Sequence, residues 1–101
     1  MEESPRKVDW TKQALEHLFE IYEYRERTLG LQRADAWADT IAVKTQRLAQ
    51  FPEMGAIDYE KSNEAITVRY LLEGHHKILY SYEREERLVK IRAIVDTRRT
   101  P

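Results

Sequence analysis

The sequence contains no cysteine, and this absence excludes both a disulfide framework and a thiolate metal site. Glycine and proline are scarce, at three each in 101 residues, which argues against a disordered, low-complexity or collagen-like chain. No apolar run approaches the roughly 18–20 residues that span a bilayer, and residues 1–7 lack the apolar segment of a signal peptide. We therefore expect a soluble protein of the reducing cytoplasm with no membrane partner.

The residues that are present predict one folded domain over residues 1–101, because 42% are apolar and 35% are charged. The net charge is only -1, but the charge is unevenly placed. The last fifteen residues hold one acid, Asp96, against the basic residues Arg87, Lys90, Arg92, Arg98 and Arg99. Such a basic ending suits a nucleic acid or an acidic protein partner. It equally suits a solvated strand edge that resists aggregation.

The first half of the chain has the apolar spacing of two helices. Thr11 is a suitable N-cap, and the first helical pattern runs from there to Gly30, a good helix stop. The second pattern ends at residues 51–52, Phe-Pro. The connection at Gly30 is so short that the helices should form an antiparallel hairpin. Of the aromatic residues in this half, we expect Tyr24 to be exposed.

The second half alternates as strands do. Residues 53–62 look like an irregular crossing loop, and strand patterns follow at residues 66–72, 78–82 and 89–95, joined by turns at 73–75 and 83–86. With the extended residues 7–10, the predicted order is β-α-α-β-β-β. This is an α+β fold in which the N-terminal helical hairpin packs on a small curved antiparallel sheet. The opposite face of the sheet is then expected to carry Arg69, Lys77, Lys90 and Arg92.

Motifs for cofactors and metals are missing from the sequence. The three glycines are too far apart for a phosphate-binding loop, and no serine lies in a nucleophile elbow. His75 and His76 would point to opposite faces of a strand, and His17 has no carboxylate partner at a recognisable spacing. We therefore predict neither a metal site nor a cofactor.

Four segments, in this order and spacing, carry a family resemblance: VDWTKQALEHLFEIYEY, LAQFPEMG, VRYLLEGHHKILYSY and LVKIRAIVDTRRTP. Together they resemble the RelE/ParE superfamily of toxins from bacterial type II toxin-antitoxin systems. The resemblance covers nearly the whole chain from residue 7 and implies the same helical hairpin on an antiparallel sheet. It also implies a cognate antitoxin as partner, with a segment that folds on binding, and a toxin-antitoxin hetero-oligomer.

The resemblance implies two alternative activities. RelE-like members cleave messenger RNA in the ribosome, which requires cations at the phosphate and groups that move protons. In that case Arg69, Lys77 and Arg98 would be the catalytic cations. The proton-transfer group that such enzymes place beyond the terminal arginine is lacking, although His75 or His76 could replace it.

ParE-like members instead bind DNA gyrase and stall it on cleaved DNA, without catalytic residues of their own. The ending RAIVDTRRTP looks more like this branch, and the resemblance then implies target contacts by Arg92, Arg98 and Arg99. A third alternative is an inactive module whose arginines only bind an antitoxin.

Overall fold

The structure is a computed structural model that describes residues 5–98. These residues form two long helices and five strands, in the order β1 (Lys7–Trp10), α1 (Lys12–Leu29), α2 (Leu31–Gln46), β2 (Ala56–Ile57), β3 (Val68–Glu73), β4 (His76–Glu83) and β5 (Leu88–Asp96). A short 3-10 turn, Arg47–Ala49, follows α2. Among the described residues, no helix is long and apolar enough to cross a membrane.

The helical hairpin is confirmed, with the predicted residues at the two ends of α1. The Thr11 hydroxyl accepts a hydrogen bond from the backbone N–H of Ala14, as an N-cap does. Gly30 ends α1 with φ at +96°, a conformation in which a side chain would be strained, and its N–H donates to the carbonyl of Glu26. Because Gly30 is the only residue between the helices, they turn back on each other.

The sheet has the strand order β1-β5-β4-β3-β2 and is open at both edges. The β3–β4 and β4–β5 pairs are antiparallel as predicted, and β2 adds a further antiparallel pair with β3. β1, by contrast, pairs with β5 in parallel. Three boundaries differ most from the sequence prediction. The second helix, expected to run to residues 51–52, ends at Gln46 and is followed by the 3-10 turn; the expected irregular loop contains β2; and the strand expected from residue 66 begins at Val68. The α+β fold with a helical hairpin on one sheet is confirmed.

The main core lies between the helices and one face of the sheet. Trp37 and Ile41 of α2 pack there with Ile78, Tyr80 and Ile91 of the sheet. The other face, which we call the outer face, has a smaller apolar cluster of Val68, Leu79 and Ala93. The outer face is therefore partly apolar rather than uniformly charged.

β5 has a β-bulge just past the end of its pairing with β1, and from there two side chains at the start of α1 form hydrogen bonds with the backbone of β5. Tyr80 pairs with Ile91 and Leu79 pairs with Ala93, so that Arg92 is an extra residue. β1 ends at Trp10, and beyond it the Thr11 hydroxyl donates to the carbonyl of Arg92, while Nδ1 of His17 accepts from the N–H of Ile94. His17 therefore has a structural role, as an acceptor for an edge N–H that β1 does not reach.

Candidate functional site

Three of the predicted cations do lie on the outer face of the sheet. Lys77 on β4 alternates with the buried Ile78, and Lys90 pairs with Ser81 across the strands. At the bulge, Nε of Arg92 donates to the Ser81 hydroxyl at 2.6 Å. The bulge and the strand alternation thus direct these side chains away from the helices.

Acidic side chains already neutralise most of this outer-face charge. Nζ of Lys77 lies 3.5 Å from Oδ2 of Asp58 and 4.3 Å from the centre of the Tyr70 ring. Glu83 is the partner of two cations, with Oε1 at 3.3 Å from Nζ of Lys90 and at 4.0 Å from Nη2 of Arg92. The outer face therefore lacks the strong positive field that the sequence suggested.

Arg69 lies on the helix side of the sheet, and its expected place on the outer face is wrong. It pairs with Tyr80, whose ring is in the main core. Its Nη1 donates to the carbonyl of Gly55 at 2.8 Å, and its Nη2 lies 3.5 Å from Oε2 of Glu53. Arg69 therefore holds the loop before β2 in place.

Arg98 follows β5 and is bound to Asp96 by both its side chain and its backbone. Its Nη2 and Nε donate to Asp96 at 2.9 and 3.2 Å, and its N–H donates to Oδ1 at 2.8 Å. The side-chain hydrogen bonds of Arg98 hold the pKa of the Asp96 carboxyl well below its usual range, and the same contact raises the pKa of Arg98. Asp96 pairs with His76, which faces the helices, so Arg98 lies on the helix side of the sheet end.

The structure therefore does not bring the predicted catalytic cations together. Arg69 binds the loop before β2, Lys77 lies on the outer face, and Arg98 lies at the end of β5. Arg99, the second predicted target-binding arginine of the ending, lies outside the described residues. The roles of Arg92, Arg98 and Arg99 in binding a target stay predictions.

His76 is a buried residue and does not face Lys77. Its ring packs edge-on against Trp37, with ring centres 6.0 Å apart. Within residues 5–98, neither Nδ1 of His76 nor Nε1 of Trp37 has a hydrogen-bond partner. Burial lowers the pKa of His76, the nearby Asp96 opposes this effect, and Arg25, Arg98 and His75 add to it. His75 lies in the exposed turn before β4, where its carbonyl accepts from both the backbone N–H and the hydroxyl of Thr97.

We expect His76 to make the fold less stable in mild acid. Its pKa is lowered in the folded chain, so the unfolded chain takes up this proton first as the pH falls below about 6.5. The free energy of unfolding, measured by urea titration, should decrease between about pH 7.5 and 5.5, and His76→Phe should remove that part of the decrease. Asp96 does not contribute to this decrease in the free energy of unfolding, because its carboxyl stays ionised throughout this pH range. His75→Gln is the matched control; if it flattens the pH dependence as much as His76→Phe, burial of His76 is not the cause.

Sequence reasoning gave no functional role to three residues near the end of α1, which are Tyr24, Arg25 and Arg27. Tyr24 is 59% exposed, and the guanidinium of Arg27 lies 5.8 Å from the centre of its ring. Arg25 lies 5.3 Å from the centre of the Trp37 ring. Helical spacing predicted that Tyr24 is exposed, and this is confirmed. No local sequence pattern links α1 to the end of β5.

Comparisons with known proteins give one family, from a family model, and one fold, from solved structures. The family model for the ParE toxin of the type II toxin-antitoxin system parDE matches residues 8–101. A chain from the chromosomal ParDE toxin-antitoxin system of P. aeruginosa has the same fold, with a TM-score of 0.73 and 22% identity over 90% of this chain and 95% of that one. A chain of the toxin-antitoxin complex RelBE2 from Mycobacterium tuberculosis gives a TM-score of 0.61 and 17% identity, over 94% of each chain. No curated protein sequence matches significantly. The family match spans nearly the whole sequence, and the chain belongs to the ParE toxin family of type II toxin-antitoxin systems.

Proposed function

We propose that this chain is a cytoplasmic toxin that binds DNA gyrase, stalls it on cleaved DNA and is neutralised by a cognate antitoxin. The observation that carries the proposal is the ParE family match over residues 8–101. A toxin of this type needs a binding surface and no catalytic residues. The proposed contacts with gyrase or its DNA are made by the ending of the chain, with Arg92, Arg98 and Arg99.

The positions of the cations support binding rather than RNA cleavage. Cleavage by a 2'-hydroxyl requires cations and a proton-transfer group around one phosphate. Here Lys77 is bound to Asp58 on the outer face, and Arg98 is bound to Asp96 on the helix side. His76 is buried on the helix side, where it cannot serve a phosphate at Lys77. This arrangement favours the gyrase-binding branch over the ribosome-dependent nuclease.

The helical hairpin offers the proposed antitoxin an apolar surface. The exposed apolar side chains of the hairpin include Leu15, Phe19, Leu29 and Leu31. Leu15, Phe19 and Leu29 recur at helical spacing on one side of α1, so a single amphipathic segment can cover them. Acidic residues of that segment would meet the arginines at the end of α1.

Reconstitution with purified gyrase tests this proposal. Supercoiled DNA, gyrase and the toxin should accumulate cleaved DNA that is revealed when the protein is denatured, and induced expression should give filamentous cells with a DNA-damage response. The double variant Arg98→Ala with Arg99→Ala should lose this activity. Removing charges from a partly desolvated interface costs about 2–5 kcal/mol of binding free energy. We therefore expect the affinity of the double variant for its target to fall by roughly 30-fold or more.

Arg33→Ala with Arg47→Ala is the matched control, because both side chains are exposed and neither has an acidic partner within residues 5–98. This control should stall gyrase as the wild type does. Cut messages in a ribosome assay, with no stalled gyrase, would overturn the proposal in favour of the nuclease. Inactivity in both assays, with the antitoxin still bound, would indicate the inactive module.

A further inference from the structure

The chain is tied to the sheet at the point where it leaves β5. Both the backbone N–H and the hydroxyl of Thr97 donate to the carbonyl of His75, at 2.7 and 2.9 Å. One residue later, the backbone N–H of Arg98 donates to Oδ1 of Asp96 at 2.8 Å, which closes an Asx turn. Asp96 is still paired with His76 in the ladder of β4 and β5. The turn at residues 96–98 is therefore fixed to the sheet, although Thr97 and Arg98 are exposed.

The guanidinium of Arg98 is held along one edge and is open along the other. Its Nε and Nη2 donate to the two carboxylate oxygens of Asp96, at 3.2 and 2.9 Å. A guanidinium has five N–H donors in one plane, so two donors on Nη1 and one on Nη2 remain. Within residues 5–98, Nη1 of Arg98 has no hydrogen-bond partner, and the side chain is 63% exposed. The Nη1/Nη2 edge is thus accessible to a partner molecule.

Because Asp96 is itself fixed, it also fixes the direction in which the Nη1/Nη2 edge points. The Asp96 side chain is only 19% exposed, and its residue belongs to the pair at the end of the β4–β5 ladder. An arginine without a partner samples many rotamers and loses that freedom when it binds, whereas Arg98 has lost part of it beforehand. An exposed ion pair contributes little to folding stability, so the positioning of Arg98 is the main consequence of this contact.

The chemistry of the Nη1/Nη2 edge suits a carboxylate of a protein partner. Two parallel N–H donors, one from each nitrogen, match the two oxygens of a carboxylate. A phosphate has a similar geometry, but binding to a nucleic-acid backbone depends on uncompensated cations. Asp96 compensates the charge of Arg98, so the pair as a unit is neutral. Short-range recognition of a protein carboxylate therefore fits this pair better than attraction to a chain of phosphates.

We propose that Asp96 is a positioning residue, which presents the Nη1/Nη2 edge of Arg98 to a carboxylate on the target protein. This deepens the proposed function and rests on it for the identity of the target, which is then gyrase itself and not its DNA. Thr97 supports the same arrangement, because its two hydrogen bonds hold the turn against His75. Loss of the Asp96 carboxylate should therefore weaken target binding, although it makes the chain more positively charged.

Binding of the purified chain to immobilised gyrase without DNA, measured by surface plasmon resonance, tests the inference. Asp96→Asn keeps the oxygen that closes the Asx turn but sets an amide N–H against Nη2 of Arg98, which breaks the paired contact. We expect its affinity to fall by about 2- to 10-fold, mainly through faster dissociation, because the freed Arg98 side chain must be immobilised on binding. Asp96→Glu keeps a carboxylate within reach of the guanidinium and should recover part of the affinity.

A double-mutant cycle separates positioning from a general structural effect. Asp96→Asn should have no further effect on affinity in the Arg98→Ala background, because it acts only through Arg98. Asp39→Asn is the matched control, since it removes the same charge from an exposed position on α2 and should leave the affinity unchanged. Melting temperatures from circular dichroism establish that each variant is folded.

The sign of the effect and the coupling between the two residues decide the outcome. Tighter binding by Asp96→Asn would overturn the inference, because Asp96 would then compete with the anion that Arg98 binds. An effect that appears only when gyrase holds DNA would assign the contact to the DNA and also overturn it. Gyrase binding without coupling between Asp96 and Arg98 overturns only the inference. If the wild-type chain binds no gyrase, the proposed function is wrong and the inference falls with it.

Discussion

Gly55→Ala is expected to lower the free energy of unfolding by about 3 kcal/mol, which corresponds to a melting temperature roughly 10–20 °C lower. A Cβ at this position would lie 2.6 Å from the carbonyl oxygen of Tyr70 and 2.7 Å from the Tyr80 hydroxyl. Tyr80 is fully buried, so it cannot turn out into solvent without disrupting the core. Displacing it also breaks the hydrogen bond from the Gly55 N–H to the Tyr80 hydroxyl, which adds about 1 kcal/mol. Thermal and urea unfolding followed by circular dichroism measure the loss.

Gly74→Asn is the control for replacing a glycine elsewhere. Gly74 has φ at +58°, which asparagine tolerates, and nothing lies within 4 Å of its added Cβ. We expect a change of less than about 1 kcal/mol there. Gly55 is not in the left-handed region, so its requirement for glycine is purely steric. If Gly55→Ala is as mild as Gly74→Asn, the contact between β3 and the loop before β2 is not rigid.

The helical half was predictable because its signals are local. Thr11 caps α1 through its own side chain, and Gly30 ends it through its own backbone. The antiparallel order of β3, β4 and β5 follows equally from the short turns between them. The two-residue β2 was not predictable, because its strand character comes only from its pairing with β3.

The side of the sheet on which Arg69 lies could not be read from alternation. Between Val68 and Leu72 both alternating sets are apolar, since Val68 and Tyr70 pack on the outer face while Leu71 packs in the main core. The period of two is clear, but its phase is not. A charged residue within such a strand can lie on either face, and here the carbonyl of Gly55 and the carboxylate of Glu53 hold it on the helix side.

The candidate site was predictable in its residue types but not in its charge balance. Asp58 lies 19 residues before Lys77 in the sequence, and Glu83 lies across a turn from both Lys90 and Arg92. Partners that meet only after folding leave no signal in a count of basic residues. The solvated-edge interpretation of the basic ending does not fit Lys90 and Arg92, because β5 lies between β1 and β4 in the sheet. Both side chains are instead ion-paired with Glu83 on the outer face.

Trp37→Ala is expected to cost about 4 kcal/mol of folding free energy, because it removes the large side chain that joins α2 to the end of the sheet. Trp37 is 5% exposed and packs in the main core, with His76 against one edge and Arg25 over its ring. A domain of this size is typically stable by about 5–15 kcal/mol, so the variant should be close to its folding limit at 37 °C. Urea unfolding followed by the fluorescence of the remaining Trp10 measures the change.

Trp37→Phe separates packing from the unpaired indole N–H. Phenylalanine keeps a ring against His76 but removes Nε1, which has no acceptor within the described residues. The smaller ring leaves a cavity, while loss of a buried unpaired donor relieves a cost of about 1–3 kcal/mol. We therefore expect a net loss of folding free energy well below that of Trp37→Ala. A loss as large as that of Trp37→Ala would mean that the indole N–H has a partner in solution, such as an ordered water between Trp37 and His76.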